Sequence, residues 1–289
     1  MAATMLRHWA VRRRGLVGLG FAVLLLAGLS FAALPGRPLN LITAGLNPLA
    51  LQSTHNAPGK KPVQEQHLVV LGDSVASGAG CGCAPFARLL ATALAGGSGR
   101  GVAMINAAQD GLTSQGLVDQ LGSQNLARSL AAASLVTVTI GANDFNQDLA
   151  SHPHCLAPAV ETCYGAQLAG LGLRLSATLA RIRSLAPASR IFVTGYWNVF
   201  LDGDVGSQLG STYVQVSDLL TRTVNAEISR RATSAGVTYV DLYQAFRRRT
   251  ASALTALLAA DGDHPSARGH QLISDLLLQT IRSGVGAPS

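Results

Sequence analysis

Five short aliphatic runs, at residues 67–71, 102–105, 135–140, 191–194 and 237–240, punctuate the second two-thirds of this 289-residue chain. Each is rich in Val, Ile and Leu and is mostly continuous in its hydrophobicity, the pattern of a strand buried on both faces. Between them lie longer stretches with helical spacing, at 85–94, 167–186, 213–235 and 266–282. Pro187 and Gly236 are placed to end the second and third of these helices. Strands alternating with helices, and no internal repeat, predict one parallel, doubly wound α/β domain over residues 67–286.

In such sheets the working residues gather in loops beyond the carboxyl ends of the strands. Here those loops are chemically rich. The first strand is followed by Gly72-Asp73-Ser74, the second by NAAQDGLTS (106–114) and the third by GANDF (141–145). The fourth is followed by GYWNVFLDGD (195–204) and the fifth by Asp241, with DGDHPSARGH (261–270) just ahead of the last helix.

A serine hydroxyl needs a base to become a nucleophile, and the base is usually an imidazole oriented by a carboxylate. The domain has five histidines. His67 opens a strand at its far end, His152 and His154 sit in a proline-containing cysteine loop, and His270 lies inside the last helix as a surface or packing residue. His264 precedes Pro265, and proline favours the first helical position, so His264 is expected at the cap. Asp261, three residues earlier, can reach the ring's other nitrogen, whereas the adjacent Asp263 would struggle to turn back. A helix N-terminus disfavours the imidazolium and Asp261 favours it, which predicts a base held neutral near pH 7. Ser74 N–H, Gly111 N–H and the Asn143 amide supply candidate donors for a developing oxyanion. Asp73 is expected to cap the helix after it, and Asp144 to be structural.

GDSVASG around Ser74, Gly111, Asn143 in GAND, and Asp261-x-x-His264 resemble, in order, the four sequence blocks of the SGNH hydrolases, or GDSL lipases and esterases. The likeness spans nearly all of residues 67–286. It implies a flavodoxin-like three-layer α/β/α sandwich with a central parallel sheet of about five strands. It also implies Ser74 as nucleophile, His264 as base, Asp261 as its partner, and an oxyanion hole of Ser74, Gly111 and Asn143. The cysteine-bearing form resembles the secreted actinobacterial branch. Two departures are visible: the first block reads GDSV, and the second has more residues between Asn106 and Gly111 than is usual. The α/β-hydrolase alternative is excluded, because no serine has glycine at both −2 and +2.

The net charge of +7 raises the question of nucleic acid. Residues 1–66 carry Arg7, Arg12, Arg13, Arg14, Arg37, Lys60 and Lys61 against Glu65, whereas residues 67–289 balance 15 Arg against 14 acids and contain no Lys. The basic excess therefore belongs to the head, and no nucleic-acid partner is expected. Arg247-Arg248-Arg249 reads as a solvated helix end.

Arg12–Arg14 precede an uncharged apolar run, residues 15–34, long enough to span a bilayer, with small residues that would allow cleavage after Ala32. A cleaved signal and an uncleaved membrane anchor both predict export. Residues 35–66, with five prolines, read as a flexible tether.

Cys81, Cys83, Cys155 and Cys163 allow three pairings; Cys155–Cys163 is preferred, and Cys81 and Cys83 either pair tightly or cross to the others. Exported thiols are consumed as disulfides, so neither a metal nor another cofactor is expected. Phe145, Tyr196, Trp197 and Phe200 are candidates for an apolar substrate wall at the mouth, which the loops 149–164 and 198–211 would shape. The reading is an exported serine esterase or lipase with a monomeric catalytic domain and a small, lipid or glycan ester as substrate. The alternative is a membrane-tethered, non-catalytic carbohydrate- or lipid-binding module on the same fold.

Overall fold

The computed structural model describes residues 66–98, 101–145, 155, 160–247 and 251–284. The basic head, the apolar run, the tether up to residue 65, His152, His154 and Arg248-Arg249 lie outside the described residues, as does most of the 149–164 loop.

All five expected strands form: β1 Gln66–Gly72, β2 Val102–Asn106, β3 Leu135–Thr139, β4 Arg190–Thr194 and β5 Thr238–Val240. They make one parallel sheet in the order β2-β1-β3-β4-β5. The chain moves outward from β1 to β2 and then returns to the other side of β1 with β3. This reversal leaves a crevice beyond the carboxyl ends of β1 and β3, where ligands bind in doubly wound folds. The strands read as aliphatic runs because helices cover both faces: Leu68, Val69, Val70 and Leu71 of β1 are all buried. Each such side chain contributes about 1.5–3 kcal/mol relative to exposure.

The helices are α1 Ser74–Ser77, α2 Phe86–Ser98, α3 Ser114–Gln120, α4 Gln124–Ala131 and α5 Val160–Leu185. They continue with α6 Gly203–Gln208, α7 Ser211–Ser234, α8 Leu242–Arg247, α9 Ala251–Thr255 and α10 Ala267–Arg282. α5 packs on α7, and α2 packs on α10. Sequence periodicity finds the four long helices and misses the short ones, whose stability comes from tertiary packing rather than from their own propensity. The loop expected over 198–211 accordingly contains α6.

α10 buries Ile273, Leu277 and Ile281, one side chain per turn. Its His270 is also fully buried, stacked on Phe86 with ring centroids 6.2 Å apart. The Phe86 N–H, left without a helical partner at the start of α2, donates to His270 Nδ1 at 3.2 Å. α10 starts later than the proline rule predicts. Pro265 is held in a bridge to Leu258, and Ser266 is the cap, its hydroxyl accepting from Gly269 N–H. His264 is thus not the helix cap.

β1 ends where nothing but glycine fits. Gly72 has φ +141°, and a Cβ there would lie 2.1 Å from the Thr139 carbonyl oxygen of β3. The close approach lets Asp73 N–H donate to that same oxygen at 3.0 Å, turning the chain sharply into α1. Gly72→Ala is expected to lower unfolding free energy by about 2–4 kcal/mol, read from the urea midpoint.

Candidate active site

Asp73 is the buried foundation of the crevice, 1% exposed. Its Oδ1 accepts from Val75 N–H at 3.1 Å and caps α1, placing the expected nucleophile, Ser74, in the first turn. Its Oδ2 accepts from the Tyr196 hydroxyl at 2.5 Å, and that hydroxyl accepts from Ala142 N–H at 3.4 Å. One network therefore joins the loops after β1, β4 and β3. Burial raises the Asp73 pKa to about 7 against the opposing hydrogen bonds from Tyr196 and Val75. Burial and the neighbouring Asp73 likewise hold the Tyr196 phenol well above its ordinary value.

The loop after β2 is tied on both sides of Gly111. Asn106 Nδ2 donates to Ala76 O of α1 at 2.8 Å, and Ser77 Oγ donates to the Asp110 carboxylate. Beyond Gly111, Leu112 O accepts from Asn143 Nδ2 at 3.0 Å. Asp144 then accepts from Ser114 N–H at 2.9 Å and Ser114 Oγ at 2.7 Å, and pairs with Arg174 at 2.9 Å. Asp144 is structural, as expected, and its task is to dock α3 onto the turn that carries Asn143. Gly111 is exposed between these ties.

The Asp-x-x-His loop closes the crevice. His264 Nδ1 and Asp261 Oδ2 are 2.8 Å apart, and Asp261 Oδ1 accepts from the backbone N–H of both Asp263 and His264 at 3.0 Å. Asp263 Oδ2 is 3.9 Å from the same ring nitrogen. Burial pushes the Asp261 carboxyl up, but the His264 bond and the two N–H donors outweigh it and leave its pKa below the ordinary value. Burial, with the neighbouring Asp261 charge adding to it, raises Asp263 to about 6 against the pull of His264. Burial pushes the His264 imidazolium down, yet Asp263, Asp261 and then Asp73 prevail, so its pKa stands above the ordinary value. The expected balance between helix start and carboxylate is therefore absent, because the helix begins at Ala267 and three carboxyls act on the ring.

The loop that begins at Ser74 and this loop are in contact. Gly80, at φ +76°, lies so close that a Cβ would sit 2.8 Å from both Asp261 Oδ2 and His264 Cβ. Only glycine allows that approach. Among the described residues Ser74 Oγ makes no hydrogen bond, so the pair that is closed is His264–Asp261; in unliganded sites the contact to the nucleophile is often long.

The aromatic side chains expected to line the mouth do not do so. Phe145, Tyr196, Trp197 and Phe200 are all buried, at most 5% exposed. Phe145 packs edge-on against Tyr164 and Phe200. Trp197 stacks on Phe246 at 4.6 Å and donates from Nε1 to Asp263 O at 3.1 Å, bracing the Asp-x-x-His loop from below. Their hydrophobic area is recruited by the core, with the polar tips of Tyr196 and Trp197 bonded to the site. Loop position alone does not tell an inward from an outward ring; the one available signal was the polar handle on both. A cavity of about 720 Å³ opens instead at the sheet edge, lined by Ile105, Asn106, Gln109, Gln120 and Asn125 among others.

Disulfides join Cys81 to Cys83 and Cys155 to Cys163. The second is the preferred pairing, and the first resolves the choice left open for Cys81 and Cys83 in favour of the tight ring.

The sequence matches the GDSL-like lipase/acylhydrolase family over residues 70–272. The chain belongs to that family. No curated protein matches it. Among solved structures it is similar to the lipase Lip_vut3 from a goat rumen metagenome, with 20% identity over 76% of this chain and 98% of that one, TM-score 0.63. An extracellular lipase from Streptomyces rimosus aligns at 23% identity over 75% and 99%, TM-score 0.58. Phospholipase A1 from Streptomyces albidoflavus NA297 aligns at 23% over 75% and 98%, TM-score 0.53. These likenesses carry the fold, and membership carries hydrolase chemistry of the lipase and esterase type.

The raised Asp73 pKa fixes a sign. A carboxyl that holds its proton to about pH 7 when folded, against an ordinary 3.8, favours the folded state at low pH and loses that contribution as pH rises from 4 through 7. Asp73→Asn keeps both hydrogen-bonding partners without the ionisation. The stability of the protein minus that of the variant is expected to fall by roughly 4 kcal/mol across this window, measured by urea unfolding at several pH values.

Proposed function

We propose that this chain is an exported serine ester hydrolase working through an acyl-enzyme. Ser74 attacks the ester carbonyl, His264 takes its proton and later returns it to the alcohol, and Asp261 holds the imidazole with Nδ1–H inward. The Ser74 and Gly111 N–H groups and the Asn143 amide receive the oxyanion. The observation that carries this reading is the 2.8 Å His264–Asp261 pair lying directly against the loop that begins at Ser74. The ties on both sides of Gly111 support its place in the hole. The expected domain limits, with a membrane-directed head, a tether and a hydrolase domain from residue 67, belong to the same proposal. So does a self-sufficient monomer.

Three carboxyls around one imidazole favour the charge that forms when Ser74 loses its proton, which lowers the barrier to attack. The same field moves the acid limb of the rate profile upward, because His264 acts only when neutral. The kcat/KM of the protein for p-nitrophenyl acetate is expected to rise with a midpoint above pH 6.5, the ordinary histidine value. In Asp261→Asn the midpoint is expected to move down and kcat to fall by about 10²–10⁴-fold.

The deciding experiment is turnover of p-nitrophenyl esters of graded chain length beside acetylated oligosaccharides. Turnover is expected to vanish in Ser74→Ala and to persist in EDTA. Binding of an ester or glycan with no Ser74-dependent turnover would instead identify a non-catalytic module.

A further inference from the structure

We propose that the Cys81–Cys83 disulfide is a thiol-exchange site for a small dithiol reductant, mechanically coupled through Gly80 to the His264 loop. The exchange itself is independent of the esterase reading; its effect on turnover rests on that reading.

The bridge is poorly suited to be a global staple. In the chain-entropy account, stabilisation by a cross-link grows with the length of chain it closes. Cys81–Cys83 spans a separation of 2, against 8 for Cys155–Cys163. The two bridges differ in access as well. Cys81 and Cys83 are both half-buried around the exposed Gly82, whereas in the other bridge Cys155 is fully buried and only Cys163 is half-buried. An attacking thiolate needs such access.

His270 supplies the second observation. A ring nitrogen of this fully buried histidine and the two sulfurs all lie within 4.8 Å of one another. Because Nδ1 accepts the Phe86 N–H, the ring proton sits on Nε2, and Nε2 is buried without a hydrogen-bond partner. An unanswered buried N–H is costly. A thiolate released beside the ring and turned toward Nε2 would answer it with a charge-assisted bond, whereas a disulfide sulfur is a weak acceptor. The arrangement argues against a metal in the same place. A ligating Nε2 must lose its proton, and a proton on Nδ1 would face the Phe86 N–H donor to donor. Burial lowers the His270 pKa to about 4, so it donates a hydrogen bond rather than a proton.

The step balances with the dithiol alone. One of its thiolates attacks a sulfur of the bridge, a mixed disulfide forms, and the second cysteine sulfur departs as a thiolate beside His270 and takes a proton from solvent. The reagent's other thiol, deprotonated, then attacks the mixed disulfide, frees the first cysteine and closes the reagent's own ring. The protein gains two electrons and two protons, and the dithiol is oxidised.

The coupling is steric. Gly80 immediately precedes Cys81 and packs on Asp261 and His264 closer than any side chain would permit. Opening the ring at 81–83 removes the restraint that holds Gly80 against them.

The test equilibrates the full chain in buffers of graded oxidised-to-reduced dithiothreitol, traps free thiols by alkylation, and maps them by mass spectrometry while p-nitrophenyl acetate turnover is followed. Cys81–Cys83 is expected to open at least about tenfold earlier in that ratio than Cys155–Cys163. His270→Phe is expected to move its midpoint about tenfold, close to 30 mV, toward reducing conditions. His270→Gln, which keeps an acceptor and an N–H, is expected to stay near the native midpoint, and His270→Leu, which like Phe lacks the N–H, stands in if the Phe variant does not fold. On opening, kcat is expected to fall several-fold with KM little changed, and Cys81→Ser with Cys83→Ser to show the low kcat in every buffer. Joint opening of the two bridges, a midpoint indifferent to residue 270, or full alkylation of Cys81 and Cys83 with kcat unchanged would overturn the proposal. Absence of Ser74-dependent turnover in oxidising buffer refutes the esterase reading alone, since the midpoints are read without it.

Discussion

Burying the Asp73 carboxyl is unfavourable by itself, and the groups that offset this cost are the ones that shape the site. Val75 N–H binds one oxygen and thereby starts α1 at Ser74. Tyr196 binds the other and brings the loop after β4 beneath the loop after β1. The Ala142 N–H on the same phenol adds the turn that carries Asn143. A carboxyl and a phenol that together tie the loops after three strands leave those loops little freedom to shift relative to one another. The tight passage at Gly72 makes this possible, since any larger residue would push Asp73 away from Thr139.

The aromatic residues belong to the same logic. A rigid loop can present an acid and an imidazole only if something holds it from behind. Trp197 does this for the Asp-x-x-His segment through the Asp263 carbonyl, and it is itself clamped on Phe246. Tyr196 is fixed by Asn225 of α7, which bonds both its N–H and its carbonyl. The aromatics that sequence position assigns to substrate thus serve the backbone that carries the polar groups.

The fold was legible because strands covered on both faces leave an unbroken aliphatic signature, and because Gly72, Gly141 and Gly236 mark the ends of elements. Ser74, Asn143, Asp261 and His264 could be picked out because each follows a strand or precedes the last helix, and the structure brings Asp261 and His264 into contact. What stayed hidden depends on contacts distant in sequence. Nothing near Asp73 announces that Tyr196 will meet it, so the sequence shows only its role as a helix cap. Pro265 satisfies a helix-start rule as well as Ser266 does, and the bridge to Leu258 decides between them. Cys81 and Cys83 were compatible with several pairings until the turn that follows α1 placed them side by side.

The strand order has a consequence for how the chain comes into being. β1 emerges early in synthesis but gains its neighbours only as β2 and β3 follow, and none of the sheet's pairings is a local hairpin. α10, which carries His270 onto α2, is the last of the described helices and directly follows the segment holding His264. A polypeptide still on the ribosome, or cut short before that segment, owns the serine but lacks the imidazole. On the proposed reading the molecule is therefore inert until the segment that carries His264 has been made and has folded against the loop that begins at Ser74.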